Sequence, residues 1–92
     1  LAADRILPGI PYFYFNLGNL YCLSSKLVES VDSYTKAINV YPYMGDAYYN
    51  RGLVLIYLKD KEKGCIDLSR AGELGVGDAY SVISKYCEEE KK

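Results

Sequence analysis

Tyr14-Phe15-Asn16-Leu17-Gly18-Asn19-Leu20-Tyr21 decides how this chain is read, because its skeleton returns further along. Tyr14, Asn16, Gly18 and Ala37 recur as Tyr48, Asn50, Gly52 and Ala71, each 34 residues on. Four identities carry weight only through what they are. A glycine inside a helical pattern costs ~1 kcal/mol against alanine, so a helix that keeps one at a fixed interval has a use for the missing side chain. Close approach of a second helix is such a use, and Ser30, Gly64, Ala37 and Ala71 put small residues on the segment after each copy. One interval earlier, Ala37 maps onto Ala3 and Pro42 onto Pro8, so Leu1 to Leu7 reads as the last turns of a preceding unit.

Working outward, residues 12–24 and 46–58 carry apolar side chains at one- and two-turn spacing, which predicts helices. Residues 26–40 and 61–74 do the same, with Glu29, Asp32, Lys36, Glu62, Lys63, Asp67 and Arg70 expected on the outer face. Tyr14, Tyr21 and Tyr34, or Tyr48, Leu55 and Leu68, are expected to fill the space between helices, each contributing roughly 1.5–3 kcal/mol when buried. Pro42 ends its helix and forces a turn. Gly45-Asp46-Ala47-Tyr48 returns as Gly77-Asp78-Ala79-Tyr80, with Asp46 and Asp78 as expected N-caps. The three glycines of Gly72-Glu73-Leu74-Gly75-Val76-Gly77 read as a helix stop. The last helix, about 79–90, has one apolar stripe and then turns charged, as a terminal cap with a wet outer face would.

The first copy fits aromatic, two residues, Leu-Gly, two residues, Tyr, followed by Ser30 and Tyr34 in a small and a large place, then Ala37 and Pro42. In this it resembles the tetratricopeptide-repeat family. The second copy departs at Arg51, where the first has Leu17, and at Val76, where the first has Pro42. The resemblance covers nearly the whole chain. It implies an all-α fold, an α-α superhelix (solenoid) of antiparallel helical hairpins with a C-terminal capping helix. The divisions are the tail of a preceding repeat at 1–10, repeats at 11–44 and 45–76, and the cap at 77–92. It also implies a protein–protein interaction scaffold that catalyses nothing.

The first helix, Tyr12 to Leu23, holds no charged residue. One stripe, Tyr14-Leu17-Gly18-Tyr21, belongs to the hairpin core, while Tyr12, Phe15, Asn16, Asn19 and Leu23 point elsewhere at the same helical spacing. Their counterparts are Asp46, Tyr49, Asn50, Leu53 and Tyr57. In the family this second stripe lines a concave groove that takes a peptide or protein partner. The resemblance thus makes Tyr12, Phe15, Asn16, Asn19, Tyr49, Asn50, Leu53 and Tyr57 the candidate binding residues. The competing reading has a neighbouring repeat covering Tyr12, Phe13 and Phe15. Chaperone adaptors of this family grip a C-terminal carboxylate with Lys and Arg beside two Asn. Asn19 and Asn50 match, but Phe15 stands where a Lys is needed, and a carboxylate without cations is left uncompensated.

Other chemistry is thin. The chain has no histidine, which removes the usual general base and the commonest zinc ligand. No Gly-x-Gly-x-x-Gly or Walker loop occurs, and no metal site or cofactor is expected. Net charge is −1, from 11 basic and 12 acidic residues, without the basic field of a nucleic-acid binder. No stretch has the length of a membrane span. Cys22, Cys65 and Cys87, odd in number and without CxxC spacing, read as small inert apolar residues. The expectation is therefore a soluble chain in a reducing compartment such as the cytoplasm. Two other functions stay open: a purely architectural module that self-associates through its N-terminal face, or the accessory domain of a larger enzyme.

Overall fold

A computed structural model describes residues 9–88, and every regular element among them is helical. The helices are α1 (Gly9–Leu23), α2 (Leu27–Val40), α3 (Gly45–Tyr57), α4 (Lys61–Glu73) and α5 (Asp78–Val82), the last running on into one π turn, Ile83–Cys87. The expected tail of a preceding repeat falls mostly on residues 1–8, which lie outside the described residues. Each helix packs on the next, α1 on α2 through to α4 on α5 and the π turn. The Cα atoms span 50 × 28 × 16 Å. With axes about 8–10 Å apart and a Cα radius of about 2.3 Å, the thin dimension is two helices deep.

Three helices end in the same way. After α1, Lys26 N–H donates to the Tyr21 carbonyl at 2.8 Å and Ser25 N–H to Cys22 at 3.1 Å. After α3, Asp60 donates to Leu55 at 2.8 Å and Lys59 to Ile56 at 3.0 Å. After α4, Val76 donates to Ala71 at 3.0 Å and Gly75 to Gly72 at 3.1 Å. These are Schellman pairs, which need a left-handed residue just past the helix. Ser25 (φ 63°), Lys59 (φ 74°) and Gly75 (φ 103°) are those residues. Ser25 and Lys59 stand 34 positions apart, so the interval seen in the side chains is present in the backbone too. Past α2, Tyr41 is extended (φ −140°, ψ 92°), as the residue before Pro42 must be.

The small residues lie where helices cross. Ser30, fully buried, donates its hydroxyl to the Gly18 carbonyl at 2.8 Å. A Cβ on Gly18 would stand 2.6 Å from the Tyr34 ring. In the second pair, a Cβ on Gly52 would stand 2.9 Å from the Gly64 carbonyl oxygen, so the two backbones nearly touch. Two apolar clusters follow. Ala37, Ile38, Met44 and Ala47 join α2 to α3, and Leu68, Ala71 and Ala79 join α4 to α5. Of the six large residues expected between helices, Tyr34 and Leu68 are fully buried, while Tyr14, Tyr21, Tyr48 and Leu55 are only half-buried.

Three expectations are corrected. Asp46 and Asp78 are not N-caps: α3 and α5 start at Gly45 and Asp78, so both carboxylates sit in the first turn, where they suit the helix dipole. Among the described residues the capping side chain is Asp60, which accepts from Lys63 N–H at 3.4 Å. Asp67 is not on the outer face; it is 5% exposed and paired with Arg51. The cysteines are not three inert thiols. Cys65 on α4 and Cys87 in the π turn form a disulfide, leaving Cys22 free. Disulfides persist in oxidising compartments, so the ground for expecting a reducing one is gone.

Candidate partner-binding face

The expected stripe divides into outward and inward members. Tyr12 and Tyr57 are 57% and 75% exposed, and Asn16 and Leu53 are also exposed. Phe15 and Tyr49 are half-buried and serve the interior. Phe15 packs on the Ala37–Ala47 cluster with its ring 5.8 Å from that of Tyr34, and Tyr49 packs on the Leu68–Ala79 cluster. Asn19 and Asn50 come together: Asn50 Nδ2 donates to Asn19 Oδ1 at 3.0 Å, and the Tyr34 hydroxyl donates to the same oxygen. This amide pair joins α1 to α3, so it fixes the relation of the two helices that carry the stripe. Burial pushes the Tyr34 hydroxyl above its ordinary pKa of 10.0, against the lowering effect of its hydrogen bonds.

A second polar constellation lies on the other side of α3. Arg51 Nε and Nη2 donate to the two carboxylate oxygens of Asp67 at 2.7 and 2.8 Å, a bidentate fork. Arg51 Nη1 reaches Thr35 Oγ1 at 3.1 Å, so one side chain ties α2, α3 and α4. Its hydrogen bonding to the Asp67 carboxylate holds the guanidinium pKa above its usual value despite partial burial. A cleft of about 380 Å³ opens beside it, lined by Val31, Thr35, Leu55, Asp60, Lys63 and Ile66 among others. The cleft is thus not on the expected stripe: Arg51 and Leu55 face roughly 150° around α3 from Asn50, Leu53 and Tyr57. Sequence reading missed this fork, although one signal was present. Leu17 and Ser33 become Arg51 and Asp67 at the 34-residue interval, a paired change to opposite charges.

Among the described residues no group of three or more His, Cys, Asp or Glu side chains gathers as a metal site, and no helix is long and apolar enough to cross a membrane. The chain matches no model of a known protein family. No curated protein matches it either.

Proposed function

We propose that the chain is a non-catalytic interaction module of the tetratricopeptide type, whose stacked hairpins offer one face of α1 and α3 to a peptide segment of a partner protein. The observation that carries this reading is the exposure of Tyr12, Asn16, Leu53 and Tyr57 along one stripe of two bonded helices. Charge is absent from α1 altogether. Aromatic side chains give contact area at little entropy cost, and an exposed amide supplies both donor and acceptor. Since Asn19 Oδ1 already accepts twice within the fold, the outward hydrogen bonding falls mainly to Asn16. Tyr57→Ala and Asn16→Ala, both at exposed sites, are expected to leave circular dichroism unchanged. Each should weaken capture of a partner by the intact protein about tenfold or more. Undiminished capture by both variants refutes this face.

One observation favours a second, architectural reading. Phe13 and Leu20 are 61% and 60% exposed, whereas Ala47 and Val54, 34 positions on, are 0% and 6% exposed. On α3 this face lies against α2, with Ala47 in the cluster shared with Ala37 and Ile38. On α1 the equivalent apolar face suits a preceding helix or a second copy. In the same capture experiment, Phe13→Ser with Leu20→Ser separates the two: it abolishes assembly if this end face is the working surface and leaves partner capture intact if the stripe is.

A further inference from the structure

The C-terminal segment 78–87 is seated on α4 by little more than one apolar stripe and one covalent bond. Ala79 is its only fully buried residue, and Val82 and Ile83 lie partly buried over Leu68 and Ala71. The Tyr80 ring covers Gly72, where a Cβ would stand 2.7 Å from it. Ala79, Ile83 and Cys87 are spaced by four. In an α-helix such a row drifts by about 40° at each step. The π turn at Ile83–Cys87 advances the chain through a smaller angle per residue, which cancels the drift and brings Cys87 back over α4. There it bonds Cys65, 22 positions earlier in the chain, with Cα atoms 5.9 Å apart. Neither cysteine is fully buried.

We infer that the Cys65–Cys87 bond is a redox latch: oxidised, it holds segment 78–87 against α4; reduced, it lets the segment leave and opens the Leu68–Ala71 surface. The electrons come from a dithiol. One of its thiolates attacks a cysteine sulfur, the Cys65–Cys87 bond breaks and a mixed disulfide forms; the second thiolate displaces it. Two electrons and two protons pass to the protein, which gains two thiols, and the dithiol ends as its own disulfide. Tyr49 packs on the same cluster, so release also uncovers the inner side of that ring; any consequence for the proposed partner face rests on the reading above, whereas the latch does not.

Hydrogen exchange of the intact chain, measured oxidised and after reduction with dithiothreitol, tests the latch without any partner. Amides of 78–87 are expected to lose protection at least tenfold on reduction, with those of α1, α2 and α3 unchanged, and to recover it on reoxidation. Cys65→Ser and Cys87→Ser should each reproduce the reduced pattern. The proposal is overturned if protection of 78–87 is the same in both states, if reduction unfolds α1 to α3 as well, or if all three cysteines titrate as thiols in protein handled without reductant.

Discussion

In the pair α1/α2 the crossing glycine, Gly18, meets an aromatic ring and a serine hydroxyl; in α3/α4 its counterpart Gly52 meets the backbone of another glycine. The same exchange runs through the neighbouring positions. Tyr34 fills the first crossing and Leu68 the second, while Ser33 and Asp67, 4% and 5% exposed, occupy equivalent buried sites with a hydroxyl and a carboxylate. The first pair therefore interlocks by bulk and one short polar contact. The second interlocks by close backbones and an ion pair between its own two helices, and the same arginine bonds Thr35 of α2. A fixed interval constrains the sum of the facing residues, not each one, so a pair of positions can change together while the helices keep their spacing.

The largest effect is expected where that exchange is broken halfway. Arg51→Leu leaves Asp67 buried without its fork, and removing one partner of a buried pair costs about 3 kcal/mol or more. Arg51→Leu with Asp67→Ser installs the residues of the first pair, Leu17 and Ser33, and should recover all but about 1 kcal/mol of the loss. Urea unfolding of the single and double variants checks this. A double variant as unstable as the single would mean that the fork itself is needed, through its bond to Thr35.

Next comes the contrast between ring and backbone at the crossings. Gly52→Ala places a methyl against the Gly64 carbonyl, which cannot yield without separating α3 from α4, and overpacking of this kind costs about 2 kcal/mol. Gly18→Ala meets the Tyr34 ring, which can tilt, so about 1 kcal/mol is expected there. The tilt has a signature that Gly52→Ala lacks: it pulls the Tyr34 hydroxyl from Asn19. Asparagine side-chain NMR shifts of Asn19 and Asn50 should therefore move in Gly18→Ala and stay put in Gly52→Ala. Equal losses with no such shift would erase the distinction between the two crossings.

What the sequence made legible follows from how local each signal is. The bounds of the first four helices were readable to within three residues, because apolar spacing and Pro42 act within a turn or two; the last, expected at 79–90, is α-helical only over Asp78–Val82, and its expected end lies outside the described residues. Gly18, Gly52, Ser30 and Gly64 were readable at the crossings, since the interval brings their partners along. Asp67 was not: a carboxylate in an amphipathic pattern reads as solvated unless the guanidinium 16 residues earlier is known to face it. Asp46 was misplaced by two residues and Asp78 by one, because the N-cap places fall on Met44 and Gly77, which supply no side-chain cap. The Cys65–Cys87 bond was hidden because it depends on a π turn, which the four-residue spacing of Ala79, Ile83 and Cys87 does not announce. On the candidate face, the stripe was legible, but the mutual bond of Asn19 and Asn50 was not, since it spans two helices whose approach only the packing sets.

The smallest effect sharpens the comparison through pH, because Tyr34 is the one bulky crossing residue that titrates and Leu68 cannot. Tyr34→Phe removes a hydroxyl that bonds Asn19 inside the fold, and one such bond contributes about 1 kcal/mol at neutral pH. The sign of the alkaline effect follows from burial, which raises the Tyr34 pKa above 10.0 in the folded chain. Between 10.0 and the raised value the unfolded chain has released this proton and the folded chain has kept it, so folding binds more protons and loses stability as pH rises. The contribution is whole below the unfolded pKa and fades through the folded one. Tyr34→Phe should therefore be less stable than the native chain at about pH 8 and lose less on going to about pH 11. Unfolding curves at the two pH values measure both quantities. Parallel losses in the two proteins would place Tyr34 beside Leu68 as a filler of space alone.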